Sequence, residues 1–105
     1  MKLRYHPEAR EELRAAIRVG EDERPGRGVA LQQLVHAVER RIQKLPRSAP
    51  PWPRLRTSFE VRNAVVRRTP YLLVYAILPD QLVVIALAHT KQEPGYWRRR
   101  FADLD

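Results

Sequence analysis

The side chains of this sequence best suited to proton transfer are His89 and Tyr96, which follow the last long apolar run. Imidazole titrates near neutral pH, so a histidine can act as a general acid or base, and a tyrosine hydroxyl can also move a proton. Arg67 and Arg68 could stabilise charge on a reacting phosphate. Together the four residues would suit metal-independent cleavage of RNA. The alternative is that His89 only ties the end of a strand to the segment that follows it.

Two further groups of basic residues could bind a target or a nucleic acid. The first belongs to the predicted sheet, where arginines would form either an anion-binding concavity or a solvated rim that protects an edge strand. The second lies in the C-terminal tail, where aromatics interleaved with bases could stack on nucleobases or form a protein interface. For Trp97 the alternative is closure of the hydrophobic core. The two groups comprise Arg54, Arg56, Arg62, Lys91, Trp97, Arg98, Arg99 and Arg100.

The composition favours a negatively charged partner. The 105 residues carry 20 Lys+Arg against 12 Asp+Glu, a net charge of +8, and all but three of the bases are arginine. Arginine presents a planar fork that suits phosphate and carboxylate, although a GC-rich coding sequence would produce the same bias. The absence of cysteine excludes disulfides, thiolate zinc sites and a cysteine nucleophile, and it fits a reducing cytoplasm. No metal-ligand spacing or phosphate-binding glycine loop occurs, so neither a metal nor a cofactor is expected.

The N-terminal half predicts a strand and two helices. Residues 2–5 alternate polar and apolar, as in a short strand, and Pro7 suits the first turn of a helix that His6 would cap. Apolar residues on one face carry this helix to about Gly20 or the acidic run after it. A turn over 24–28 leads to a second amphipathic helix, which Pro46 ends. The two helices should form an antiparallel hairpin.

The C-terminal half predicts a sheet. After a proline-rich connection, strands are expected at 54–56, 60–68, 72–78 and 82–88, and residues 95–101 should form a short helix or an ordered tail. The whole chain, 1–105, is predicted to be a single α+β domain. The N-terminal strand and helical hairpin would pack on a three- to four-stranded, mainly antiparallel sheet, leaving its other face partly open as a partner surface. No export signal or membrane-spanning segment is expected, which indicates a cytoplasmic protein.

Three segments, 5–13, 66–75 and 89–97, resemble the RelE/ParE family of type II toxin-antitoxin toxins. The resemblance implies a small cytoplasmic toxin that is neutralised, within a toxin-antitoxin hetero-oligomer, by an antitoxin encoded beside it. The acidic C-terminal segment of that antitoxin would wrap the toxin, which would account for both the open sheet face and the surplus of arginine.

The resemblance implies one of two mechanisms. RelE-like members cut messenger RNA on the ribosome with arginines, lysines and usually a C-terminal tyrosine, whereas ParE-like members inhibit DNA gyrase. Arg67 or Arg68 matches the RelE-like strand arginine and Tyr96 could replace the tyrosine, but the expected lysines are missing unless Arg54 and Arg56 substitute for them. The ending Pro94–Trp97 is more ParE-like. Gyrase inhibition is therefore favoured over RelE-like cleavage and over a non-toxic basic module that binds nucleic acid.

Overall fold

A strand, a helical hairpin, a three-stranded meander and a C-terminal 3-10 helix follow one another along the chain. The computed structural model describes residues 1–104. The elements are β1 (Lys2–Tyr5), α1 (Pro7–Glu23), α2 (Arg27–Lys44), β2 (Glu60–Val66), β3 (Tyr71–Ile77), β4 (Gln81–His89) and the 3-10 helix (Arg98–Leu104). The sheet order is β1-β4-β3-β2, with β1 parallel to β4 and the other pairs antiparallel. The predicted α+β architecture is confirmed. Within the described residues, no helix is long and apolar enough to cross a membrane.

The helical hairpin forms as predicted, with a tighter turn. The side chain of His6 caps α1 by accepting a hydrogen bond at Nδ1 from the Glu8 amide, 3.1 Å away. α2 already begins at Arg27, after Gly26 has turned the chain with a φ of 90°. Close packing of the two helices depends on Gly28, where an added Cβ would lie 2.6 Å from the Ile17 carbonyl oxygen.

The predicted strand at 54–56 is wrong. Arg54 lies in a turn and has a φ of 55°, Leu55 and Arg56 form no regular structure, and the chain pairs with β2 slightly earlier instead. The Trp52 amide donates to the Val61 carbonyl at 2.9 Å, and the Asn63 amide donates to the Pro50 carbonyl at 3.0 Å. The strand that was predicted to reach Arg68 ends at Val66, because Arg68 adopts a left-handed conformation that an extended strand cannot contain.

The sheet face predicted to be partly open is mostly covered by the chain itself, and it stays open at the β2 edge, where Val65 is 55% exposed. One face packs on the helical hairpin through residues such as Leu73, Tyr75, Leu82 and Val84. The other face is covered by the proline-rich connection and the C-terminal segment. Trp97 is fully buried there and meets the Trp52 ring edge-on, with 5.0 Å between the ring centroids.

Candidate functional site

Basic side chains gather at the end of the sheet where β2 turns into β3 and β4 ends. The Thr90 amide donates to the Pro70 carbonyl at 2.8 Å, which joins these two turns. Arg67, Arg68 and Lys91 are exposed there, and none of them forms an ion pair within residues 1–104. This basic end of the sheet can therefore offer its charge to a partner.

His89 lies at the basic end, where neighbouring groups hold its ring and its main chain. Its ring packs edge-on against Tyr71, with 5.4 Å between the centroids. Nδ1 accepts a hydrogen bond from the Lys91 amide at 3.0 Å, so the proton of the neutral ring lies on Nε2. The His89 amide in turn donates to the Gln92 side chain at 2.7 Å. These bonds shape the turn after β4.

Tyr96 has no free hydroxyl. Its oxygen donates a hydrogen bond to Glu12 Oε2 at 2.5 Å. Burial raises the pKa of Tyr96, and the hydrogen bond and negative charge of Glu12 raise it further. The phenolic proton is therefore engaged by Glu12, and the raised pKa makes this hydroxyl a weaker acid than an ordinary tyrosine.

The side chains of Glu12 and Arg100 bond to main-chain groups of β4 beyond the point where β1 ends. β1 follows β4 only as far as Val84. Beyond that point, Arg100 Nη1 donates to the Ile85 carbonyl at 2.8 Å, and Glu12 Oε1 accepts from the Leu87 amide at 3.1 Å. The two side chains also form a bidentate pair with distances of 2.9 and 3.0 Å. The pair thus supplies hydrogen-bond partners for main-chain groups at the edge of β4, and it fastens the C-terminal segment to α1.

Four residues predicted to bind a target have internal partners instead. Trp97 and Arg100 are buried, so their assignment to a binding surface is corrected: they close and brace the core. Arg99 forms a bidentate pair with Glu8 at 2.9 and 2.7 Å. Arg62 donates to Glu60 at 3.0 Å and to the Ala49 carbonyl at 2.6 Å. The other predicted binding residues are exposed: Arg54, Arg56, Lys91 and Arg98.

Sequence reasoning missed this polar network because its members are far apart in the chain. Glu12 and Arg100 are separated by 88 residues, and His6 and Asp103 by 97. His6, Glu8 and Asp103 are close enough to suggest a metal site. Both ring nitrogens of His6 are engaged, however, since Nδ1 caps α1 and Nε2 donates to Asp103 Oδ2 at 2.6 Å. The cluster thus works as a helix cap and a tether for the C-terminal segment.

A groove adjoins the basic end of the sheet. It has a volume of about 490 Å³ and lies between the turn end of the helical hairpin and the β2–β3 turn. Apolar side chains line it, including Ala16, Leu31, Leu34 and Tyr71, while Arg27, Arg68 and His89 contribute polar groups. Arg27 is paired with Glu23 at 2.7 Å, whereas Arg68, the other arginine of the lining, forms no ion pair with any residue up to Leu104. An apolar groove with a free cation suits a segment that has one apolar and one acidic face.

Comparisons with known proteins agree with this architecture. Residues 3–94 match the sequence profile of the ParE toxin of the type II toxin-antitoxin system parDE. A comparison with curated proteins finds no significant match. Among solved structures, a chain described as the chromosomal ParDE toxin-antitoxin system from P. aeruginosa superposes with a TM-score of 0.70 at 14% identity, over 85% of this chain and 95% of that one. That likeness concerns the fold, whereas the profile covers most of the sequence. The chain therefore belongs to the ParE toxin family of type II toxin-antitoxin systems.

Proposed function

We propose that this protein inhibits DNA gyrase without catalysing a reaction and that an acidic antitoxin neutralises it. The observation that carries the proposal is the state of Tyr96, the residue that would have to replace the RelE-like tyrosine. Its hydroxyl proton is bound to Glu12 and its pKa is raised. A general acid must reach the leaving oxygen of its substrate, and this hydroxyl is committed elsewhere.

The arginines that remain free support target binding rather than chemistry. Arg67 and Arg68 are exposed beside a histidine whose Nδ1 is occupied by a main-chain amide. An arginine stays protonated in proteins and cannot donate a proton in place of Tyr96. Unpaired cations on a protein of net charge +8 attract acidic surfaces and speed their encounter. Gyrase is a cytoplasmic target, so this function also places the protein in the cytoplasm.

The antitoxin would bind through complementary charge and apolar contact. The groove beside the basic end combines an apolar lining with the unpaired Arg68, and Val19, which is 51% exposed, extends its apolar surface. An amphipathic segment with acidic residues along one side fits that combination. Binding there would place the antitoxin next to Arg67 and Lys91, within a toxin-antitoxin hetero-oligomer, and would shield these cations from gyrase.

Supercoiling of relaxed plasmid by purified gyrase tests the proposal. Excess toxin should stop supercoiling, and a His89→Ala, Tyr96→Phe double variant should inhibit as well as the parent once its folding has been checked by circular dichroism. An Arg67→Ala, Arg68→Ala double variant should inhibit less. Unimpaired supercoiling at excess toxin would refute gyrase inhibition.

Two parallel assays separate the alternatives. Cuts in ribosome-bound message that disappear in the His89→Ala, Tyr96→Phe variant would instead establish the RelE-like reaction. Direct binding of free DNA or RNA that weakens steeply with salt, without any effect on gyrase or growth, would establish the basic nucleic-acid-binding module.

A further inference from the structure

The outer edge of β2 is only half covered. β2 lies at one side of the sheet, and its inner edge pairs with β3 from Glu60 to Val66. On the outer side, the main chain at Pro50 and Trp52 bonds to Asn63 and Val61 and then leaves the strand. The second half of the edge, from Asn63 to Val66, has no neighbouring strand among residues 1–104.

The uncovered half presents main-chain groups ready for pairing. The amide and carbonyl of one strand residue point the same way, and the direction alternates from residue to residue. Since the Asn63 amide points outward to Pro50, the Asn63 carbonyl and both main-chain groups of Val65 point outward too. None of these three groups has a hydrogen-bond partner on that side within residues 1–104.

The side chains along the free part of β2 favour pairing with another strand and do not block it. Edge strands are commonly blocked by a charge, a proline or a bulge, and the free part of β2 has none of these. Val65 is instead 55% exposed and pairs across the sheet with Leu72, which is half-buried. An added strand would cover this apolar pair while completing the hydrogen bonds of the edge.

The charge around this edge selects the kind of strand. Residues 54–68 hold five arginines and one acid, Glu60, so they carry a net charge of +4. Glu60 is already bound by Arg47 and Arg62, while Arg67 and Arg68 follow the free edge directly. A second copy of this chain would bring like charges together, which opposes association. An acidic strand would meet opposite charges.

We propose that the outer edge of β2 at Asn63 and Val65 binds an extended acidic segment of a partner protein by strand addition. The inference rests on the proposed antitoxin for a partner of this chemistry, but it does not depend on gyrase as the target. Main-chain hydrogen bonds would provide affinity, Val65 an apolar contact, and Arg67 with Arg68 the preference for acidic side chains.

A synthetic peptide of alternating valine and glutamate tests the edge directly. The full chain should bind it, and a peptide of alternating proline and glutamate, equal in charge but unable to form a strand, should bind about tenfold more weakly or not at all. Amide hydrogen exchange locates the binding site. The Val65 amide should exchange quickly in the free protein and become protected when the valine–glutamate peptide binds. Unchanged exchange at Val65 would overturn the proposal.

Two variants isolate the main-chain contribution. Val65→Pro removes an amide hydrogen that the folded chain does not use, and proline is tolerated where the N–H of an edge strand faces solvent. It should weaken peptide binding about tenfold, as expected for the loss of one or two main-chain hydrogen bonds. Val65→Thr, which keeps the amide and the β-branched shape, is the matched control and should bind nearly as well as the parent.

The remaining outcomes all count against the proposal. Equal binding of both peptides would mean that charge alone attracts them. A dimer of the parent protein that Val65→Pro dissociates would make a second copy the occupant. If Val65→Pro fails to fold, the exchange measurement on the parent protein decides by itself.

Discussion

Removal of the Glu12 carboxylate should destabilise the protein more than any other single change to a charged residue on α1. The carboxylate accepts hydrogen bonds from the Leu87 amide, the Tyr96 hydroxyl and two nitrogens of Arg100. In Glu12→Ala, the amide and the hydroxyl lose their acceptor. Arg100, whose side chain is 5% exposed, stays charged because a guanidinium does not lose its proton in a protein.

The size of the expected loss of stability follows from the burial of Arg100. Loss of one partner from a buried ion pair costs about 3 to 5 kcal/mol. The Glu12 side chain is 22% exposed and Glu8 Oε2 remains 3.7 Å from Arg100 Nε, so the lower end of that range applies. About 3 kcal/mol corresponds to a fall in Tm of at least about 12 °C for a domain of this size. That is a large share of the roughly 5 to 15 kcal/mol that stabilises an ordinary domain.

Urea unfolding followed by tryptophan fluorescence measures the effect, because Trp97 is fully buried beside this network and becomes exposed on unfolding. Glu11→Ala is the matched control on the same helix, since Glu11 pairs with its helix neighbour Arg14 and both side chains are mostly exposed. It should leave the midpoint essentially unchanged. Adding Arg100→Met to Glu12→Ala should recover part of the loss, because it removes the unpaired charge. If Glu12→Ala costs no more than Glu11→Ala, the assigned role of the pair is wrong.

Three other outcomes are expected. Gly28→Ala should destabilise by about 1 to 3 kcal/mol, because its Cβ would meet the Ile17 carbonyl at 2.6 Å, whereas Gly20→Ala, with nothing nearer than 3.4 Å, should be neutral or stabilising by up to about 1 kcal/mol. Stability should fall as the pH drops below the ordinary glutamate range, because hydrogen bonds from Arg47 and Arg62 lower the pKa of Glu60 in the folded state; thermal melts should show a smaller fall for Glu60→Gln. Above about pH 10, stability should fall again, because burial raises the pKa of Tyr96 in the folded state and the unfolded chain ionises first.

Each of these three predictions can be contradicted by a specific result. Equal melting temperatures for the two alanine variants would contradict the close approach of the helices at Gly28. An acid melt of Glu60→Gln that matches the parent would show that Glu60 contributes nothing to acid stability. The difference in tyrosine absorbance near 295 nm between the parent and Tyr96→Phe should change together with unfolding at alkaline pH, so ionisation of Tyr96 in a chain that is still folded would contradict its burial.

The order and type of most elements could be predicted from local patterns. Alternation marks β1, the 3.6-residue period marks both helices, and continuous apolar runs mark β3 and β4. His6 was recognisable as a cap because it directly precedes Pro7 and Glu8. These signals lie within a few residues of one another, so they need no knowledge of the fold. The misassigned strand at 54–56 shows their limit, since Arg54 takes a left-handed turn that the sequence does not mark.

The candidate site could be predicted only in part, because sequence signals report on neighbouring residues and not on contacts between distant ones. Its free cations, Arg67, Arg68 and Lys91, could be found by composition and by their places at strand ends. The residues that occupy Tyr96 and His89 could not be found in this way. Glu12 appears in the sequence as one more acid in the first turns of a helix, and only the docking of the C-terminal segment on α1 brings it to Tyr96 and Arg100.

The sequence by itself determined the helical hairpin, the meander of strands and the excess of arginine, because each depends on neighbouring residues or on a count. Tertiary structure alone decided which arginines are free to meet a partner. Arg99 and Arg100 bind Glu8 and Glu12 across about 90 residues of chain, while Arg67 and Arg68 form no ion pair in the described part of the chain, residues 1–104. The physical reason is that ion pairing depends on distance in space, which is set when the C-terminal segment folds back on the first helix.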